Sequence, residues 1–159
     1  MELRAYRRED AKKILSWCRD EKSFYQWTAG IIGDYPAAEE QFRFVEGLTA
    51  MTVFQEDQLT GFFTLRRPDP DSGDFRIGFV IIDPEKRGRG IGKEMMRLAA
   101  DHAFEHCGAE TVSLGVFDNN LPAYLCYKAA GFREVPHDPP ITYNIRGEEW
   151  PCTEMTLER

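Results

Sequence analysis

The sequence predicts an α/β fold of the α+β type, with one mixed central sheet of about six to seven strands and about four flanking helices. An apolar run at residues 75–82 precedes a glycine-rich turn, a stretch with helical periodicity, and a β-branched segment at residues 111–116. Two further strand patterns lie at residues 49–54 and 61–67. With 159 residues, 42% of them hydrophobic, the chain is long enough to build one core, so we expect a single domain over residues 1–159.

The first third of the chain combines a short strand with two predicted helices. Residues 3–6 alternate as a strand does. The next apolar positions recur at helical spacing and are Ala11, Ile14, Leu15 and Cys18. An aromatic-rich stretch covers residues 23–30, and Pro36 then introduces a second helix over about residues 37–47.

The middle of the chain predicts a β-α-β unit. A turn-rich loop at residues 68–73 leads into the central strand at residues 75–82, whose apolar run predicts burial on much of both faces. Asp83-Pro84 ends this strand, because proline cannot donate a ladder hydrogen bond. The helix that begins near Ile91 ends near Cys107-Gly108 and leads to the strand at residues 111–116. Such a crossover makes the two strands parallel and places a ligand at their carboxyl ends.

The last third predicts one helix and a hairpin. Asn119-Asn120 and Pro122 begin a helix over about residues 121–130, and Gly131 closes it. Phe132 starts a further sheet segment, which a proline-rich loop at residues 136–140 follows. Residues 141–145 and 150–157 then form a hairpin around Arg146-Gly147.

The glycine-rich turn has the composition of a phosphate-binding site. Three glycines lie at the start of the central helix, where the first N–H groups lack intrahelical partners: Gly88, Gly90 and Gly92. Three cations add to the positive end of the helix: Arg87, Arg89 and Lys93. The spacing matches neither the dinucleotide fingerprint nor the P-loop. The alternative interpretation is a basic surface turn that caps an ordinary helix.

Two separated motifs resemble one known family. Residues 82–92 are similar to the acetyl-CoA signature of the GNAT superfamily of acyl-CoA-dependent N-acyltransferases, Arg/Gln-x-x-Gly-x-Gly/Ala. Residues 116–132 are similar to its later motif, with an Asn, a small residue, a Tyr and a Gly-Phe pair at matching intervals. Two motifs in the right order and at the right distance coincide by chance far more rarely than either alone. The resemblance implies a GNAT-like N-acetyltransferase domain over residues 1–159, with acetyl-CoA as cosubstrate and no metal.

The resemblance also implies which residues hold the cofactor. The pantetheine arm and thioester would lie like an added strand along the backbone of Val80, Ile81 and Ile82. The pyrophosphate would lie on the turn residues, which are Arg87, Gly88, Arg89, Gly90, Ile91, Gly92 and Lys93. Asn120 would hydrogen-bond CoA, although it is equally suited to be only a helix N-cap.

The implied reaction is transfer of an acetyl group to a primary amine of a small molecule, protein or peptide, by direct attack on the thioester. The resemblance places the Tyr127 hydroxyl near the CoA sulfur, where it would act as the acid that protonates the departing thiolate. The structural alternative is a tyrosine packed in the core. The aromatic stretch at residues 23–30 would border the acceptor cleft, and its side chains either form an apolar wall for the amine or simply cover the sheet.

The sequence assigns no general base. Several protein-acetylating relatives carry a Glu in the strand after the central helix, but the matching position here is Gly115. Other relatives place an acid on the central strand, where this sequence has Arg76. A water chain, an amine that is already neutral, or Asp74 remain open as the proton acceptor.

Composition and charge exclude several other classes of protein. The formal net charge is −7, from 20 basic and 27 acidic residues, which argues against a nucleic-acid surface. The chain lacks an apolar run of membrane-spanning length, and its start lacks an apolar signal core, so we expect a cytoplasmic protein. Its four cysteines are widely spaced and are predicted to be reduced thiols in packed positions. His102 and His106 lie one helical turn apart, but the sequence shows no third ligand for a metal.

The expected partners are therefore acetyl-CoA and an amine acceptor, without nucleic acid or membrane, and the assembly is left open between a monomer and a homodimer. Two competing functions keep the same fold. One is a catalytically silent sensor that binds acetyl-CoA, and the other is an antitoxin-like interaction module, because a fold alone does not establish activity. The presence of both Tyr127 and Asn120 argues against these two alternatives.

Overall fold

The computed structural model describes residues 1–159 and contains one sheet with helices on both faces. The strands are β1 (Glu2–Ala5), β2 (Thr49–Gln55), β3 (Gln58–Arg66), β4 (Asp74–Ile82), β5 (Thr111–Phe117), β6 (Arg133–Val135), β7 (Ile141–Ile145) and β8 (Glu148–Glu158). The α-helices are α1 (Ala11–Ser16), α2 (Glu21–Thr28), α3 (Glu39–Phe42), α4 (Ile91–His106) and α5 (Leu121–Ala129). No helix has the length and apolar character needed to cross a lipid bilayer.

The sheet is mixed and has eight strands, in the order β1-β2-β3-β4-β5-β8-β6, with β7 paired to the first part of β8. Only β4 and β5 are parallel neighbours, as the crossover through α4 predicts. The strand count exceeds the predicted six to seven, because short β6 and β7 lie end to end along one edge of β8. The long β8 lies between β5 and β6 instead of at an edge of the sheet.

Two hydrophobic clusters fill the space above and below the sheet. Successive residues of β3 point to opposite faces, so Phe63 joins the cluster under α4 while Phe62 joins the cluster under α1–α3. The cluster on the first face includes the buried side of α4, formed by Met95, Met96, Ala99 and Ala103. The second cluster is largely aromatic and includes Trp17, Phe24, Phe42 and Phe117.

The aromatic-rich stretch forms helix α2, which the sequence pattern left unassigned. The Asp20 carboxylate caps it by accepting a hydrogen bond of 2.7 Å from the Ser23 N–H. Its inner side buries Phe24 and Tyr25. The helix predicted over residues 37–47 is split into the one-turn α3 and a 3₁₀ segment, Arg43–Gly47.

The central strand β4 is less buried than its apolar sequence predicts. Ile77 and Ile81 are buried, but most of its other residues remain half-exposed. β4 pairs with β3 from Arg76 to Ile82 but with β5 only from Asp74 to Arg76, so one edge of residues 77–82 has no partner strand. The expectation of burial on much of both faces therefore holds only at Ile77 and Ile81, one on each face of the sheet.

Candidate active site

A wedge opens in the sheet between β4 and β5. The two strands pair only at Asp74–Thr111, Phe75–Val112 and Arg76–Ser113. Beyond Arg76 they separate, so the edges formed by residues 77–82 and 114–117 lack ladder partners across the gap. Peptide groups on an open strand edge are strong hydrogen-bonding groups that an extended ligand can satisfy. The wedge is therefore a ready site for a narrow, extended molecule.

A β-bulge in β4 lies at the level of this wedge. Phe62 pairs with Ile81 and Thr64 pairs with Gly78. The one residue between Phe62 and Thr64 in β3 therefore faces two residues in β4. The extra residue is Phe79, whose φ of +50° is unusual for a bulky side chain. Backbone held in such a conformation is common where a strand serves a ligand site.

The glycine turn connects the end of β4 to α4, and its glycines have different physical roles. Gly88 and Gly90 both have a φ of +76°, which favours glycine, while Gly90 is the N-cap of α4. Gly92 is needed for space instead, because a Cβ there would lie 2.7 Å from the Cys126 Sγ and 3.0 Å from the Ile82 Cδ1. Two glycines shape the turn, and the third lets α5 and β4 pack closely against α4.

The predicted cofactor residues lie next to one another in space. Val80, Ile81 and Ile82 line the wedge and run, through a 3₁₀ turn, into the glycine turn. Arg89 and Lys93 are exposed and pair with no carboxylate of the protein, while Arg87 Nη2 donates a long hydrogen bond of 3.4 Å to the Ile82 carbonyl. The free N–H groups of the helix start and two unpaired cations form an anion site at the mouth of the wedge.

Tyr127 lies on α5 in the same hydrophobic cluster as Ile77 and Val116, which flank the two sides of the wedge. The residue is 8% exposed, and burial raises the pKa of its phenol, so the hydroxyl stays protonated at neutral pH. No protein group hydrogen-bonds this hydroxyl. Asn120 acts as the N-cap of α5, where its Oδ1 accepts a hydrogen bond of 3.4 Å from the Ala123 N–H.

The opposite face of the wedge is covered by α2 and by the turn between β7 and β8. Gln26 Nε2 donates to the Asn119 carbonyl and to its Oδ1, both at 3.1 Å, which joins α2 to the end of β5. An ion pair between Arg146 and Glu21 joins the β7–β8 turn to the same helix. These links hold α2 over the open end of the wedge.

The aromatic residues of α2 differ in burial and in polar contacts. Phe24 and Tyr25 are buried and cover the sheet. Trp27 is half-buried, its ring meets that of Phe79 at 6.1 Å, and its Nε1–H is buried without a hydrogen-bond partner. Buried N–H groups are rarely left unpaired. Sequence reasoning could name the aromatic stretch, but not the one member whose polar atom remains unsatisfied.

Asp74, a candidate proton acceptor, and Arg76, which occupies the position of an acid in some relatives by resemblance, have different surroundings. Asp74 lies at the closed end of the wedge, where its carboxylate accepts hydrogen bonds from Thr111 Oγ1 at 2.9 Å and Ser113 Oγ at 2.7 Å. Arg76 forms a two-pronged ion pair with Glu154 of β8, at 2.7 and 2.8 Å. Sequence reasoning missed Glu154, because it is 78 residues from its partner and belongs to no motif.

The paired histidines of α4 stand apart from this site. Their ring centroids are 5.1 Å apart, and burial together with the neighbouring His106 lowers the pKa of His102. No group of three or more His, Cys, Asp or Glu side chains is arranged to hold a metal ion.

Comparison with known proteins agrees with this architecture. The model of the acetyltransferase (GNAT) family matches residues 8–132. The spermine/spermidine N(1)-acetyltransferase of Bacillus subtilis (strain 168) is 28% identical over 86 residues, which cover 51% of this chain and 57% of that protein. The mycothiol acetyltransferase of Mycobacteroides abscessus is 32% identical over 106 residues, which cover 67% of this chain but 35% of that protein. The chain thus spans only part of the length of the curated relatives that it matches.

A solved structure has the same fold over the whole chain. The spermidine N-acetyltransferase from Vibrio cholerae, in complex with CoA and spermine, superposes with a TM-score of 0.79 over 99% of this chain and 94% of that one. The sequence identity is 17%, so this likeness concerns the fold alone.

Replacing Gly92 with valine is expected to lower the free energy of unfolding by about 1–3 kcal/mol, because the added atoms have no space beside Cys126 and Ile82. Urea denaturation followed by circular dichroism measures the change. The matched control is Gly47→Val, since a Cβ at Gly47 meets nothing within 4 Å and should change stability by less than about 0.5 kcal/mol. Equal midpoints for the two variants would contradict the packing role of Gly92.

Proposed function

The chain belongs to the acetyltransferase (GNAT) family, and we propose that it transfers the acetyl group of acetyl-CoA to a primary amine of a small molecule. The observation that carries this proposal is the open wedge between β4 and β5, which leads at one end to the glycine turn. Tyr127 shares a hydrophobic cluster with Ile77 and Val116 of these two strands, which supports its proposed role. An extended cofactor arm with an anionic end matches this combination of open strand edges and anion site.

In the proposed complex the pantetheine arm lies between the strands. Its amide groups pair with the backbone of Val80, Ile81 and Ile82, as an added strand would. The pyrophosphate lies on the turn from Arg87 to Lys93, where Arg89 and Lys93 have no competing carboxylate. Asn120 adds a contact to CoA while its Oδ1 caps α5.

The chemistry requires a neutral amine and an acid for the thiolate. The amine nitrogen attacks the thioester carbon, a C–N bond forms, and the C–S bond breaks. The amine loses one proton to solvent, and the departing sulfur gains one from the Tyr127 hydroxyl, which solvent then restores. Burial keeps this phenol protonated, and no protein group hydrogen-bonds its hydroxyl. The hydroxyl is therefore free to donate a proton to the sulfur.

For the acceptor we propose a cationic aliphatic amine. One curated relative is a spermine/spermidine N(1)-acetyltransferase, and the net charge of this chain, −7, favours attraction of a polycation. Turnover is followed as free thiol release from acetyl-CoA with spermine, spermidine, amino acids, aminoglycosides and lysine peptides. Release with polyamines supports the proposal, whereas release only with peptides would move the acceptor to proteins.

The Arg89→Ala variant should bind CoA more weakly by about 1–3 kcal/mol, because it loses a charge-assisted contact to phosphate. Isothermal titration calorimetry with CoA measures this. Arg97→Ala removes the same charge from an exposed position farther along α4, so it is a matched control and should retain affinity within about twofold. Equal losses in both variants would indicate general electrostatic attraction instead of a contact at the turn.

The Tyr127→Phe variant separates an enzyme from a binder. It removes a hydroxyl that no protein group contacts, so folding and CoA affinity should change little, while kcat should fall roughly 10²- to 10⁴-fold. Tyr124→Phe is the control on the same helix, since its hydroxyl is engaged by Glu134. A Tyr127→Phe enzyme with the parent kcat would assign Tyr127 to the core alone.

A further inference from the structure

An ion pair crosses the sheet at the vertex of the wedge. Arg76 Nη1 and Nη2 donate to Glu154 Oε2 and Oε1 at 2.7 and 2.8 Å, so the guanidinium and carboxylate form a bidentate pair. Arg76 belongs to β4 and Glu154 to β8, which are separated by β5. The pair therefore ties together two strands that have no backbone contact with each other.

The pair crosses β5 at Gly115, which has no side chain to crowd it. A Cβ at Gly115 would lie 2.9 Å from Arg76 Nη2 and 3.2 Å from Glu154 Oε1. It would also lie 3.0 Å from the Cys152 Sγ. A side chain at residue 115 would thus crowd the ion pair and force the Arg76 guanidinium to shift, which gives this glycine a packing role unrelated to its backbone conformation.

The ion pair lies at the point where β4 and β5 begin to separate. Arg76–Ser113 is the last backbone pair between β4 and β5, and Gly115 is already in the separated part of β5. Three backbone pairs hold the two halves of the sheet together here, and Asp74 adds hydrogen bonds to Thr111 and Ser113. The ion pair is the last of these connections before the strands diverge.

Burial distinguishes this pair from the other ion pairs of the protein. Its two side chains are 22% and 14% exposed, whereas every other pair has at least one side chain that is 57% exposed or more. Exposed pairs contribute little, but removing one partner of a buried pair leaves an uncompensated charge. The hydrogen bonds that Arg76 donates to the Glu154 carboxylate raise the pKa of the guanidinium, so it stays charged and the pair persists.

We propose that Arg76 and Glu154 are positioning residues that set the width of the wedge and thereby the fit of the cofactor arm. This inference rests on the proposed function, because it requires that the wedge holds the pantetheine of CoA. Glu154 acts through Arg76 and β4 and does not accept the proton of the amine, since both its carboxylate oxygens accept hydrogen bonds from the guanidinium.

The first test compares CoA affinity and kinetics of Arg76→Met, Glu154→Gln and the charge-reversed double variant Arg76→Glu/Glu154→Arg. Each single variant should weaken CoA binding at least tenfold and raise the KM for acetyl-CoA, with the KM for the amine and the shape of the pH–rate profile unchanged. The double variant keeps the combined length and charge of the pair and should recover affinity to within threefold of the parent. Arg133→Met is the control, because it breaks the exposed Arg133–Glu158 pair on the neighbouring strand and should leave CoA affinity unchanged.

A second variant covers the case in which the single variants do not fold. Gly115→Ala keeps both charges but places a Cβ against the pair, so it should also weaken CoA binding. Parent-like affinity in any folded single variant would overturn the positioning role. Unchanged affinity with a lost acidic limb of the pH–rate profile in Glu154→Gln would overturn it in favour of proton transfer. A parent protein that binds no CoA would instead reject the proposed function.

Discussion

Only three residue pairs, between β4 and β5, join the two halves of this sheet through backbone hydrogen bonding. Parallel strands joined by a crossover helix usually stay paired along their length, and here they part after Arg76 and Ser113. The separation leaves one edge of residues 77–82 open, and most of these residues are half-exposed despite their apolar sequence. Side-chain contacts reinforce this short ladder at the vertex, where Asp74 accepts hydrogen bonds from Thr111 and Ser113 and Arg76 pairs with Glu154.

The glycine turn contains two kinds of constraint within one short motif. Gly88 and Gly90 serve backbone conformation, because their positive φ values would strain another residue. Gly92 and, across the wedge, Gly115 serve space, because side chains of their neighbours fill the volume that a Cβ needs. A sequence motif does not distinguish these two kinds of glycine, yet their substitutions differ in consequence. Replacing a glycine of the first kind alters the turn, whereas replacing one of the second kind alters the packing of whole elements.

The sequence predicted the local parts of the molecule better than their junctions. The periodicity of α4, the β-branched β5 and the glycine turn between them are encoded by nearby residues, so their types and their parallel arrangement were confirmed. The bulge at Phe79 was not predictable, because it depends on the register with β3. The contact between Arg76 and Glu154 joins residues 78 positions apart, and no periodic pattern carries that information. The predicted roles of Tyr127 and of the cofactor residues stay predictions, which the proposed variants address.

The arrangement at Gly115 also restricts how this sequence can change over generations. A side chain at residue 115 would crowd the ion pair, so Arg76, Gly115 and Glu154 form one packing unit. A larger side chain at residue 115 would require the ion pair to rearrange, and a buried pair resists replacement of either partner alone. Substitutions at these three positions are therefore coupled, and we expect the three positions to vary together instead of one at a time.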